Sequence, residues 1–191
     1  VTDGTDDGDA FDEIQMLADR DVFSEGVISA DEITIKSGQS AVSGFGDITI
    51  TEPARLTAGS DLTMVTGQNR GSILLRGGVY TVEGASGTMN LTASQGTIIS
   101  ENYTLDGVVA VPSLAANEIN ILTGKGVDVQ HLDVNEVASA VVTQAGNLIL
   151  ADKDDVNVTN AATLDGSITI TSGGAMSVVS ATAQGDSDRN D

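Results

Sequence analysis

The chain has 191 residues, 28 acidic against 8 basic, for a net charge of −20. So acidic a surface repels nucleic-acid phosphates and anionic lipid heads, which argues against nucleic acid as a partner and against membrane insertion, and no apolar run approaches the ~20 residues of a membrane helix. Aromatics make up 3%, with no Trp and no Cys, so the interior has to be built from Val, Ile, Leu, Thr and Ala without disulfides.

Residues 1–10 are acidic, glycine-rich and nearly free of apolar side chains. Such a segment cannot bury enough surface to offset its ordering entropy and is expected to be flexible. With Val1 first and neither Met nor a basic-plus-apolar leader, the sequence reads as a processed protein or a piece of a longer one. Over 11–26 the pattern changes. Phe11, Ile14, Leu17 and Ala18 fall at helical spacing, with Asp12 and Glu13 at the start and Arg20 near the end, which predicts a short amphipathic helix capping one end of a repeat region.

From 27 to 183 a short phrase returns: Gly, a polar residue, then a strand of alternating β-branched residues. It reads Gly46-Asp47-Ile48-Thr49-Ile50, Gly71-Ser72-Ile73-Leu74-Leu75, Gly146-Asn147-Leu148-Ile149-Leu150 and Gly166-Ser167-Ile168-Thr169-Ile170. Copies without the glycine stand at Asp31-Glu32-Ile33-Thr34-Ile35 and Asn117-Glu118-Ile119-Asn120-Ile121. Further strands are predicted at Val79–Val82, Thr97–Ile99, Val108–Val111, Val127–Val129, Ala140–Val142 and Val156–Val158. About fifteen short strands at close spacing make the chain all-β. Residues 184–191 form a polar tail.

Two all-β architectures compete. A β-sandwich joins strands by hairpins, and Asp106-Gly107 and Asp165-Gly166 are suitable two-residue turns. A parallel β-helix stacks like units, with glycine turning the corners and Ile48, Ile50, Leu62, Ile73, Leu148 and Ile168 forming interior ladders. The recurrence of one phrase in one order favours the β-helix.

Residues 46–93 and 117–182 resemble the repeats of filamentous-haemagglutinin-like bacterial surface proteins. The likeness lies in Gly146–Ala151, Val156–Asn160 and Gly166–Gly174, and in Gly46–Thr51 with Leu56–Thr63. It implies a right-handed parallel β-helix within a long secreted or cell-surface protein, with adhesion or matrix building as its role.

Residues that carry chemistry are few. The lone His131 has Asp133 two residues on, the same side of a strand, but no evident nucleophile beside it. Asp152, Asp154 and Asp155, with Lys153 among them, form the densest acidic cluster of the β region. Paired carboxylates at ~6.5–9.5 Å serve inverting glycosidases, whereas the same cluster also suits a polar corner between Leu150 and Val156. Tyr80 and Tyr103 are the tyrosines open to sugar stacking. Thr49/Thr51 and Thr169/Thr171 raise ice binding, although alternating Thr is common in half-exposed strands. Asp3, Asp6, Asp7 and Asp9 lack the spacing of a calcium loop. With Asp152, Asp154 and Asp155 they are weak metal candidates, and nonspecific calcium binding is the most their charge supports. No cofactor is expected.

The sequence therefore predicts a non-catalytic structural or adhesive module, extracellular or at the cell surface. Its partners would be like subunits, flanking repeats, or a cell-surface carbohydrate or protein. A self-assembling filament or sheath subunit is the first alternative, and a polysaccharide-active β-helix enzyme the second.

Overall fold

The computed structural model describes residues 12–39 and 44–185. Its regular structure is entirely β, in chain order β1 (Glu13–Leu17), β2 (Val22–Ser24), β3 (Val27–Lys36), β4 (Ile48–Thr51), β5 (Arg55–Val65), β6 (Ile73–Arg76), β7 (Val79–Val82), β8 (Thr88–Ala93), β9 (Thr97–Glu101), β10 (Tyr103–Leu105), β11 (Val108–Ala110), β12 (Ser113–Thr123), β13 (Gly126–Ala145), β14 (Leu148–Asp152), β15 (Val156–Val158), β16 (Ala161–Asp165), β17 (Ile168–Ser172), β18 (Met176–Val178) and β19 (Ala181–Ala183). Seventeen of these form one sheet whose pairings are all parallel, and β10 and β11 form an antiparallel hairpin of their own. Parallel pairing does not fit the sandwich alternative, which needs hairpin-joined antiparallel strands.

The chain returns repeatedly to the same three ladders. The first runs β2, β4, β6, β9, the start of β13, β14 and β17, and aligns Val22, Ile48, Ile73, Ile98, Val127, Leu148 and Ile168. The second aligns Ile28, Leu56, Tyr80, Leu114 and Leu132. The third runs from β1 to β19 and aligns Met16, Ile35, Met64, Leu91, Ile121, Ala140, Ala161 and Ala181. Side chains alternate along each strand, so these rows point to one interior, and from Ile35 to Ala161 their members are buried. The third row narrows from Met and Leu to Ala towards the C-terminus. Linked positions lie 25 or 26 residues apart at Asp21, Asp47 and Ser72 but 20 apart at Asn147 and Ser167, so shorter returns enclose smaller side chains.

The recurring phrase has a stereochemical cause. A Cβ on Gly71 would collide with the Gly46 carbonyl oxygen, one on Gly96 with that of Gly71, and one on Gly166 with that of Gly146. The glycines thus sit where successive backbones touch. The polar residue after each glycine reaches along the stack: Ser72 N–H donates to Asp47 Oδ1 at 2.7 Å, Thr97 N–H to Ser72 Oγ at 3.2 Å and Ser167 N–H to Asn147 Oδ1 at 3.0 Å. Buried hydroxyls at nearby strand ends donate to the glycine carbonyls: Ser37 to Gly46 at 2.7 Å, Thr66 to Gly71 at 3.0 Å, Thr123 to Gly96 at 2.6 Å and Thr163 to Gly146 at 2.7 Å. Among the described residues every buried side-chain polar atom has a partner, as close packing of polar groups requires.

The helix expected over 11–26 is not formed. Phe11 lies outside the described residues, and the rest forms β1 and β2. Ile14 and Met16 follow a period of two and pair with Ile33 and Ile35, while Leu17, needed for the helical face, is 60% exposed. A helix of a few turns is marginal in water, and the open edge of β3 offers the same residues a full set of backbone partners. The parallel sheet therefore begins at Glu13.

Candidate functional site

Irregularity gathers at one line of corners, where the chain leaves the first ladder. These corners are Glu52-Pro53-Ala54, Gly77-Gly78, the insertion 102–112, Gln130-His131, Asp152–Asp155 and Gly173-Gly174. They are joined along the stack: Glu52 N–H donates to the Arg76 carbonyl, Gly77 N–H to that of Glu101, and Gly173 N–H to that of Asp152. Gly78 N–H also donates to Glu52 Oε2 at 2.8 Å. Gly77 and Gly78 adopt φ of 61° and 79°, a left-handed region natural to glycine.

The insertion is the β10–β11 hairpin, turned by Asp106 and Gly107 at φ 49° and 80°. Positive φ at both central residues is the hairpin turn that Asp-Gly favours. Gly77 packs under its return strand, since a Cβ there would lie 3.0 Å from Ala110 Cβ. Leu105, Val108, Val109 and Val111 are left exposed.

Beside the hairpin base, Ile99, Ser100, Glu101, Asn102, Asp128, Gln130 and His131 line a shallow depression of about 270 Å³. Glu101 Oε1 accepts from Arg76 Nε at 2.6 Å, and Asp128 accepts from Gln130 Nε2 at 3.1 Å. Ser100 Oγ donates to the Gln130 carbonyl and accepts from its N–H at 2.8 Å, so the hydroxyl is committed in both directions. The grouping of Glu101, Asp128 and His131 escapes a linear reading, because it depends on which corner stacks on which. The opposite signs of Arg76 and Glu101, 25 residues apart, were the available clue.

His131 lies at a register shift between Val129 and Leu132, with φ of 62°. The backbone turn breaks the strand alternation that placed Asp133 on its side, and Asp133 pairs instead with Lys153 Nζ at 3.2 Å. Asp152 is buried, accepting from Val134 N–H at 3.1 Å and from Asp154 N–H at 2.9 Å. Burial raises its pKa, aided by the charges of Asp133 and Asp154 and opposed by the two amide bonds. Lys153 also pairs with Asp154 at 3.4 Å, and Asp155 Oδ1 accepts from Ala175 N–H at 2.6 Å. The Lys153 ammonium is raised chiefly by its hydrogen bond to Asp133. Each member of the Asp152–Asp155 cluster is thus occupied in folding a corner.

Among the described residues no three His, Cys, Asp or Glu side chains gather as metal ligands; Asp3, Asp6, Asp7 and Asp9 lie outside those residues. Tyr80 is fully buried, its hydroxyl donating to the Ile50 carbonyl at 3.4 Å, and burial foremost, with the nearby Glu52 charge, raises its pKa. It is closed to a sugar ring, while Tyr103 stands on the hairpin. Thr49 and Thr169 share a row with Leu74, Ile99, Asp128 and Ile149 between them, so they form no rank of threonines. No helix among the described residues is long and apolar enough to cross a membrane. Comparison with protein-family models, with curated proteins and with solved structures finds no match.

Proposed function

We propose that this chain is a right-handed parallel β-helix serving as a non-catalytic structural or adhesive module of a secreted or cell-surface bacterial protein, as its resemblance to filamentous-haemagglutinin-like repeats implies. The observation that carries this reading is the unbroken row Val22, Ile48, Ile73, Ile98, Val127, Leu148, Ile168. Seven strands at ~4.8 Å spacing make a stiff body roughly 30 Å long. The polar groups nearest to chemistry support the same reading: Asp152 is tied to two amides, Ser100 to one peptide, and Glu101 to Arg76. Lateral contact falls to the β10–β11 hairpin, which pairs only with itself and carries four exposed apolar side chains.

Two assays test the proposal. Incubation with neutral and acidic polysaccharides should release no new reducing or unsaturated ends, whereas cleavage lost in Asp152→Asn or Asp154→Asn would support the enzyme instead. Beads coated with the protein should be retained on cell monolayers, and the double variant Val108→Asp/Val109→Asp should reduce retention at least severalfold. Equal retention of the variant would remove the hairpin from the account.

A further inference from the structure

We propose that the depression beside the hairpin base is a subsite for a neutral hexopyranose, one unit of a cell-surface glycan, an assignment that rests on the adhesive role proposed above.

The depression, of about 270 Å³, is of the size of a single sugar ring, and backbone holds it in shape. Gln130 follows its stacked partner Ser100 by 30 residues, against 25 or 26 for the linked positions at Asp21, Asp47 and Ser72. The insertion 102–112 accounts for the longer return. The buried Ser100 hydroxyl ties the two corners together through both the N–H and the carbonyl of Gln130. His131 then adopts φ of 62°, a left-handed conformation that is uncommon outside glycine and is kept only where the surroundings fix it. Its imidazole is left exposed at the rim of the depression.

Hydrogen-bonding capacity identifies the class of ligand. Glu101, Asn102, Asp128, Gln130 and His131 stand around the half-buried Ile99. Arg76 takes one oxygen of Glu101, and the Gln130 amide nitrogen takes one of Asp128. Each carboxylate keeps a second oxygen, and Gln130 keeps its amide oxygen. Asn102 and His131 make no side-chain hydrogen bond among the described residues. The rim thus offers more acceptors than donors, which suits a ligand that brings several O–H groups. Ile99 continues an outward row with Leu74, a small apolar floor for the C–H face of a ring. A phosphate, sulfate or carboxylate would meet two carboxylates, with the Arg76 guanidinium already engaged. With Glu101 balanced by Arg76, a cationic ligand would find Asp128 alone, and one solvent-accessible ion pair contributes little. Among the described residues no three His, Cys, Asp or Glu side chains gather for a metal. A neutral sugar is the class that remains.

His131 is the only histidine of the chain, so the C–H resonances of its imidazole report occupancy without labelling. The full chain is titrated with the methyl glycosides of glucose, galactose and mannose, and separately with galacturonate and glucosamine. At least one neutral glycoside should move the His131 resonances saturably, with a Kd of roughly 1–20 mM as for a small ligand with few contacts. Asp128→Asn keeps the oxygen that holds Gln130 and turns the other acceptor into a donor. That variant and Asn102→Ala should each weaken binding by about fivefold, as loss of one hydrogen bond implies. Glu83→Gln, an exposed site on another corner, should leave binding unchanged, and circular dichroism of each variant checks that the strands persist. No movement with any of the three neutral glycosides overturns the proposal. So does tighter binding of galacturonate or glucosamine, or equal weakening by Glu83→Gln. Sugar binding without retention of coated beads on cells leaves the subsite standing and removes the adhesive role, whereas retention without movement of the His131 resonances does the reverse.

Discussion

Gly96 shows how one residue type answers to stacking rather than to turning. Its Cβ would strike the Gly71 carbonyl, so Gly96→Ala should destabilise by about 1–3 kcal/mol, as overpacking does, read from urea unfolding. Thr123→Val, which strips the hydroxyl from the Gly96 and Gly126 carbonyls, should cost about 1–2 kcal/mol. Asp152 carries a pH signature. Its folded pKa lies above the unfolded value, so the folded state holds the proton more tightly, and its contribution to stability falls as pH rises through the interval between them. Thermal melts between pH 3 and 7 should show this component in the native chain and not in Asp152→Asn. A component of opposite sign would mean the carboxylate is better solvated than its burial implies. In the sequence the recurrence of glycine was legible, but its reason was not, because a close approach between residues 25 apart has no local trace.

At the scale of elements, local pattern and tertiary pairing compete. The helical spacing of Phe11, Ile14, Leu17 and Ala18 was real, yet Ile14 and Met16 also fit a period of two, and the free edge of β3 decided between them. The two Asp-Gly pairs divide in the same way. Asp106-Gly107 turns a hairpin, whereas Asp165-Gly166 joins two strands, β16 and β17, that pair with different neighbours, and Gly166 rests on Gly146. The cluster Asp152–Asp155 was legible as a corner, while the depression of Glu101, Asp128 and His131 depends on stacking that no spacing in the chain reveals. The hairpin stands outside the large sheet, so replacing 103–110 by a short glycine linker should move the melting temperature by only a few degrees. A loss of cooperative unfolding would show instead that the hairpin holds the stack together.

For the whole molecule, the strand phrases placed the inner rows correctly at Ile48, Ile73 and Leu148, while the lengths of the returns stayed hidden because insertions such as 102–112 alter them. In the proposed β-helix, an interior made of single rows makes each layer depend on its neighbours. Ile73→Asp should therefore cost on the order of 4 kcal/mol or more, since a carboxylate would sit unpaired between Ile48 and Ile98. The most direct test of parallel stacking is a methyl NOE spectrum of the chain with labelled isoleucines. Cross-peaks should link Ile48 to Ile73 and Ile73 to Ile98, with the same parallel order at Ile33, Leu62 and Met89 once those residues are labelled. Absence of these contacts, or their replacement by antiparallel contacts between adjacent strands such as β6 and β7, would contradict it.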